Sequence, residues 1–200
     1  MKKEIIKLRK SLEKELDPQR FEHSLGVEYT SGWLAYIHDC DVDNARIAGL
    51  LHDCAKCLSD NEKIRIMEKA GCPPLQEELD NRSLLHAKAG AIVARDEYDI
   101  DDEDILNAIR FHTVGRPNMS LLEKIVYVAD FIEPNRKELQ IMDGVRHAAL
   151  ADIDQALLWI MESVRQYVEE KGYPVSPSSV AAYEYYKNQI KVDMDLRNRR

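Results

Sequence analysis

Apolar residues recur along this chain every three or four positions, the spacing of an amphipathic helix, and no stretch alternates as a half-buried strand would. Leu8, Leu12 and Leu16 mark a first helix. Asp17-Pro18 restarts the chain as N-cap and first helical residue of a second, which carries His23, Val27, Leu34 and Ile37 and runs to about His38. A near-continuous run of apolar and small residues predicts a buried third helix from Val42 to Ala55. Ser59 and Glu62 form a capping box for a fourth, and Gly71 stops it. After Pro73-Pro74 a fifth helix is expected from Leu84 to Glu97, with His86 near its start. The acidic run Asp101-Asp102-Glu103-Asp104 suits the positive end of a sixth, which continues to Phe111. Thr113 to Pro117 reads as a loop, and a second capping box, Ser120 with Glu123, opens a helix that ends near Ile132. Two more are expected, from Asp152 to about Lys171 and from Ser179 to about Arg197. The fold class is therefore all-α, a helical bundle taken as one domain over 1–200, its last helices (152–197) packing on the rest.

Composition adds little to that pattern, and charge adds more. The 200 residues are 44% hydrophobic and 32% charged, ordinary for a globular chain. Net charge is −8 and no basic stripe is visible, so a nucleic-acid partner is not expected. A protein this acidic binds an anionic substrate only by concentrating positive charge locally, and a metal ion is the compact way to do so. No stretch approaches the roughly 20 apolar residues of a membrane span, and the start lacks a secretory core. A cytoplasmic location, no membrane partner and reduced Cys40, Cys54, Cys57 and Cys72 are expected. Cys54-x-x-Cys57 has no second pair to complete a zinc site and reads as structural.

The candidate chemistry centres on Leu50-Leu51-His52-Asp53-Cys54-Ala55-Lys56. Adjacent helical residues point about 100° apart, so His52 and Asp53 reach one ion only near a helix end. Ala45, Ala48 and Gly49 beside them allow another helix to approach closely. His38-Asp39 is a second such pair, but no apolar run leads into it, and it is expected to be exposed. Asp130 stands one turn after Val126 on a buried stripe, where a carboxylate costs several kcal/mol unless paired or metal-bound. His23 stands one turn before Val27 on the inward side of its helix. Each residue alone reads as a satisfied core group. Together, two imidazoles and two carboxylates on separate inward faces make a mixed N/O shell, which suits Fe, Mn, Co or Ni. His86 and His112 lie near helix boundaries and suit either a second metal or a phosphate. His38 and His147 are left structural.

The order His23, His52-Asp53, Asp130 resembles the HD-domain metal-dependent phosphohydrolases, over roughly Arg20 to Arg136, with the metal core within 18–136. Arg20-Phe21-x-His23, the central stretch, His86, Ala108 to Thr113 and Ala129 to Arg136 look like the YqeK-type symmetrical bis(5'-nucleosyl)-tetraphosphatases. That resemblance implies an iron-containing hydrolase, with one or two ions and manganese or cobalt as substitutes, splitting diadenosine tetraphosphate into two ADP by attack of a metal-bound hydroxide. It implies metal ligation by His23, His52, Asp53 and Asp130, Asp53 doubling as a base. It implies phosphate contacts from Lys56, His86, His112, Thr113 and Arg136, with Lys56 also catalytic. On their own, Lys56 is a solvated lysine ending a helix and Arg136 a loop arginine. Gly172-Tyr173-Pro174 spells the tripeptide of the cyclic-dinucleotide HD-GYP branch, but it stands alone between two late helices and reads as a turn. Three alternatives stay open: an HD hydrolase for another phosphate ester, a metal- and nucleotide-binding module without turnover, and an interaction protein with incidental histidines. A homodimer is one expectation for the assembly, since tyrosines 183, 185 and 186 suit either an interface or the core.

Overall fold

The computed structural model describes residues 2–137 and 139–197, and within these it is helical with no strand. The helices are α1 (Lys2–Glu15), α2 (Pro18–Ile37), α3 (Val42–Leu51), α4 (Asp60–Lys69), α5 (Gln76–Asp80), α6 (Leu85–Tyr98), α7 (Glu103–Phe111), α8 (Leu121–Ile132), α9 (Met142–Ala151), α10 (Ile153–Glu170) and α11 (Pro177–Arg197). Three starts are set by the capping side chains that sequence pattern singled out. Asp17 accepts from the Arg20 amide, Ser59 and Glu62 cap each other, and Ser120 accepts from the Glu123 amide.

The centre of the bundle is α2 packed along α3, with α7 and α8 closing over them and α6 behind α7. Small residues permit that first contact. A β-carbon added to Gly49 would lie 2.6 Å from Ser31 Oγ and 2.9 Å from the Val27 carbonyl. Glu28 is fully buried in this layer and holds it from two sides: Arg9 Nε donates at 2.6 Å and Arg46 Nη2 at 2.7 Å. A buried carboxylate is tolerated only when paired and hydrogen-bonded in this way. Farther out, α10 packs on α8 and α9, and α11 on α10.

Several expectations need correction. The third helix ends at Leu51, and residues 52–57 form turns. His52 and Asp53 thus leave a helix end, where two adjacent side chains can converge. The helices α5 and α9 were not foreseen. Their starts lack side-chain caps: Leu75 and Ile141 stand at the cap positions. The docking of α9 also changes His38, which is half-buried rather than exposed and pairs through Nε2 with the Ala149 carbonyl at 2.6 Å. Tyr183 and Tyr186 close the core, Tyr186 Oη accepting from the Met119 amide at 2.7 Å. Gly172 takes a positive φ of 73°, so the Gly-Tyr-Pro run is a turn between α10 and α11. Among the described residues no helix is long and apolar enough to cross a membrane.

A candidate metal centre

Six of the sequence-designated residues meet in one cluster. His23 comes from α2, His52 and Asp53 from the turn after α3, His86 from the first turn of α6, His112 from the end of α7 and Asp130 from α8. His23 Nε2 lies 3.2 Å from His52 Nε2 and 3.0 Å from Asp130 Oδ1. His52 Nε2 is 3.7 Å from both Asp130 Oδ1 and Asp53 Oδ2. Asp53 Oδ1 turns the other way, 3.1 Å from His86 Nε2 and 3.6 Å from His112 Nε2, and those two nitrogens are 3.1 Å apart. His52, Asp53, His86 and His112 are all buried.

The outer nitrogens decide what this cluster can hold. His52 Nδ1 donates to the Gly49 carbonyl and His112 Nδ1 to the Ile109 carbonyl, each at 2.7 Å. His86 Nδ1 faces the Ser83 carbonyl, and His23 Nδ1 donates to Glu133 Oε1 at 3.0 Å. A neutral imidazole has one proton, and here it sits outward on each ring. Four Nε2 lone pairs therefore point inward at one another and at two carboxylates. Asp53 Oδ1 is buried without a hydrogen-bond partner, because neither Nε2 facing it carries a proton. Such a convergence of acceptors is satisfied by a cation, and orientation of ligand imidazoles by outer hydrogen bonds is the usual support of a metal site. Two groups, which share His52, have ligand atoms close enough to hold an ion: His23, His52 and Asp130, and His52, Asp53 and His112.

The charge states suit that purpose. Burial pushes the His52 pKa down to about 3 and that of His86 to about 4, so both are neutral. Burial opposes ionisation of Asp53 and Asp130, but positive charge brought among the surrounding histidines outweighs it, with Arg136 adding to this at Asp130, so both lie well below the usual carboxylate range. For His23 burial is likewise outweighed, by Asp130 and Glu133, and its pKa rises. Metal ligands must be deprotonated at the coordinating atom: buried His52 and His86 already are, whereas His23, with its raised pKa, would release a proton on binding.

Cations edge the open side. Arg20 Nη1 lies 3.3 Å from Asp53 Oδ2, and Lys56 Nζ lies 3.6 Å from Asp53 Oδ1 and 3.0 Å from His86 Nε2. Burial lowers the Lys56 pKa. Arg136 pairs through Nη2 with Asp130 Oδ1. Thr113 lines the cavity beside His112 rather than the cluster itself. Arg20 and Glu133 had been given no role by sequence reasoning. The signal for Arg20 was its place one turn before His23 on the same helix face. For Glu133 it was a carboxylate one turn beyond Asp130, with the structure burying it to 1% exposure.

Residues 20–135 match the HD domain family. The chain is 40% identical over 169 residues to a symmetrical bis(5'-nucleosyl)-tetraphosphatase of Halalkalibacterium halodurans, covering 84% of this chain and 89% of that one. It is 39% identical over 175 residues to the enzyme of the same name from Bacillus subtilis, covering 87% and 92%. Among solved structures, an HD superfamily hydrolase from Clostridium acetobutylicum, said to be involved in NAD metabolism, superposes with a TM-score of 0.88 at 45% identity, over 92% of this chain and 96% of that one.

Proposed function

Because this chain belongs to the HD domain family, which implies a divalent metal, we propose that it hydrolyses diadenosine tetraphosphate symmetrically into two ADP. The observation that carries the reading is the likeness to two symmetrical tetraphosphatases over more than four-fifths of the chain, joined to a cluster of inward lone pairs. In this reading His23, His52, Asp53 and Asp130 would hold the metal, and His86 and His112, which face Asp53 Oδ1, would hold a second ion or the phosphates. Iron is the proposed metal, with manganese or cobalt as substitutes, consistent with a shell of imidazoles and carboxylates that contains no thiolate. A metal so held lowers the pKa of water and supplies a nucleophile near neutral pH.

The chain's own residues do the rest. Asp53 is the one carboxylate that faces both ligand groups, and it is placed to take the proton of the attacking water. Arg20, Lys56 and Arg136 lie on the open side, where a tetraphosphate would bind, and they neutralise charge on the phosphoryl group in transfer. Phosphoryl transfer asks mainly for such positioning and charge stabilisation. Thr113 contacts the polyphosphate from the cavity wall. Water adding at the central bridge breaks one P–O–P bond and leaves two identical diphosphates. The reading also takes the chain as one domain in the cytoplasm, where its four cysteines stay free. It includes a homodimer, which sedimentation velocity tests. The test of the activity is a product assay with Fe(II)- or Mn(II)-loaded protein. ADP alone supports it; ATP plus AMP, or no turnover, overturns it.

A further inference from the structure

Two cavities flank the cluster, and they differ in kind. One, of about 510 Å³, opens at His23 and is lined by polar side chains throughout, Arg20, Asn135, Arg136 and Lys137 among them. The other, of about 390 Å³, opens at His112 and Asp130 and runs between α8, α9 and α10. Its walls are mostly apolar: Phe131, Leu139, Ile160 and Val164. Arg136 and Lys137 line both cavities, so they stand at the partition between them. Leu139 is 47% exposed, an apolar side chain left partly in water at the rim. A third cavity, beside Phe111 and Pro117, is apolar too, but none of the six cluster residues lines it.

A dinucleoside tetraphosphate has two purine faces and one polyanion between them. Purine faces gain from stacking on aromatic and apolar side chains, whereas phosphates gain from cations. Of these three cavities, the one at Asp130 joins an apolar wall to the cluster. We propose that it holds one nucleoside of the substrate, with Phe131 and Leu139 against the base, while the other half lies in the polar cavity. The two ends of a symmetric substrate are then recognised unequally. Base selectivity is concentrated at one end, and the far nucleoside is dispensable. This inference rests on the tetraphosphatase reading above.

The test uses the metal-loaded enzyme with three substrates: diadenosine tetraphosphate, adenosine 5'-tetraphosphate and inorganic tetraphosphate. Cleavage of their central bonds gives two ADP, ADP plus pyrophosphate, and two pyrophosphates. Adenosine tetraphosphate should keep kcat/KM within about tenfold of the dinucleotide, and inorganic tetraphosphate should fall about a hundredfold or more, mainly through KM. Phe131→Ala should raise KM for both nucleotides about ten- to a hundredfold, and Leu139→Ala by less, with tetraphosphate hydrolysis unchanged. Leu139 is at the surface, so its variant folds even if the Phe131 variant does not, and melting and metal content verify this. The inference is overturned if adenosine tetraphosphate is as poor as the inorganic chain, or if the Leu139 variant leaves nucleotide KM unchanged. It is overturned as well if that variant weakens all three substrates alike. Wild-type enzyme that cleaves none of the three removes the parent reading instead, and this one with it.

Discussion

Glu133 holds His23 by its outer nitrogen: Oε1 lies 3.0 Å from Nδ1, and the Asn135 amide donates to Oε2 at 2.7 Å. The carboxylate is fixed from two directions and sets which nitrogen of His23 carries the proton. With the proton outward, the Nε2 lone pair faces His52 and Asp130. Glu133→Gln lets an amide donate to Nδ1 and favours the wrong tautomer. Metal affinity should fall about 10- to 100-fold, with Glu133→Asp less affected. Metal titration of the two variants checks this, and equal affinity in all three proteins would contradict it.

Gly26 makes that contact possible. A β-carbon there would collide with Glu133 Oε2 and lie 3.0 Å from its Cδ. Gly26→Ala should therefore reproduce part of the Glu133 phenotype although residue 26 touches no ligand of the site. A loss of about tenfold or more in metal affinity is expected, read by the same titration. A fall in melting temperature with unchanged metal affinity would separate packing from the site and refute the link.

The two His-Asp pairs should part company. Asp53→Asn removes the carboxylate that faces both ligand groups, so turnover should be abolished and metal content reduced. His38→Ala should leave kcat within about twofold, since the residue lies outside the cluster. It should cost about 1 kcal/mol of stability, through loss of the bond to the Ala149 carbonyl. Turnover assays and urea melts distinguish the two. A large rate loss at His38 would mean that the wrong pair has been placed in the centre.

Much of this site was legible before the fold was. His23 and Asp130 betray themselves as polar groups on apolar stripes, and His52-Asp53 as a pair after a small-residue run. The helices with capping side chains, at Asp17, Ser59 and Ser120, were placed nearly to the residue. What failed lacked local signals. The α9 helix buries only Met142, Val145 and Ala149 and starts without a side-chain cap. Its absence from the reading made His38 look exposed. Arg20 and Glu133 are charges to which sequence pattern alone gives no role. Only the tertiary geometry, which sets Arg20 against Asp53 and Glu133 against His23, gives them work.

Glu77 gives a dependence on pH away from the centre. It ties α5 to the start of α11, accepting from Ser176 Oγ at 2.6 Å, from the Ser178 amide at 3.1 Å and from Ser178 Oγ. Burial would raise its pKa, but these bonds outweigh burial and hold it below the ordinary glutamate value. A carboxyl depressed in the folded state adds stability above its unfolded pKa and loses it as pH falls through the folded one. Glu77→Gln should thus be less stable than wild type at pH 7, with the gap closing on the acid side of about 4.3. Urea melts across that window measure it, and a gap independent of pH would contradict the assignment.

The most direct test of the centre is its metal content, measured together with turnover. Protein purified without chelators, loaded with Fe(II) or Mn(II) under exclusion of oxygen and desalted, is analysed for bound metal and assayed on diadenosine tetraphosphate. One or two ions per chain are expected, with ADP the sole product, and activity should vanish on chelation and return with metal. Asp53→Asn should hold less metal than wild type and turn over nothing. A chain that retains no ion after desalting, or that cleaves the substrate fully once stripped of metal, would contradict the account.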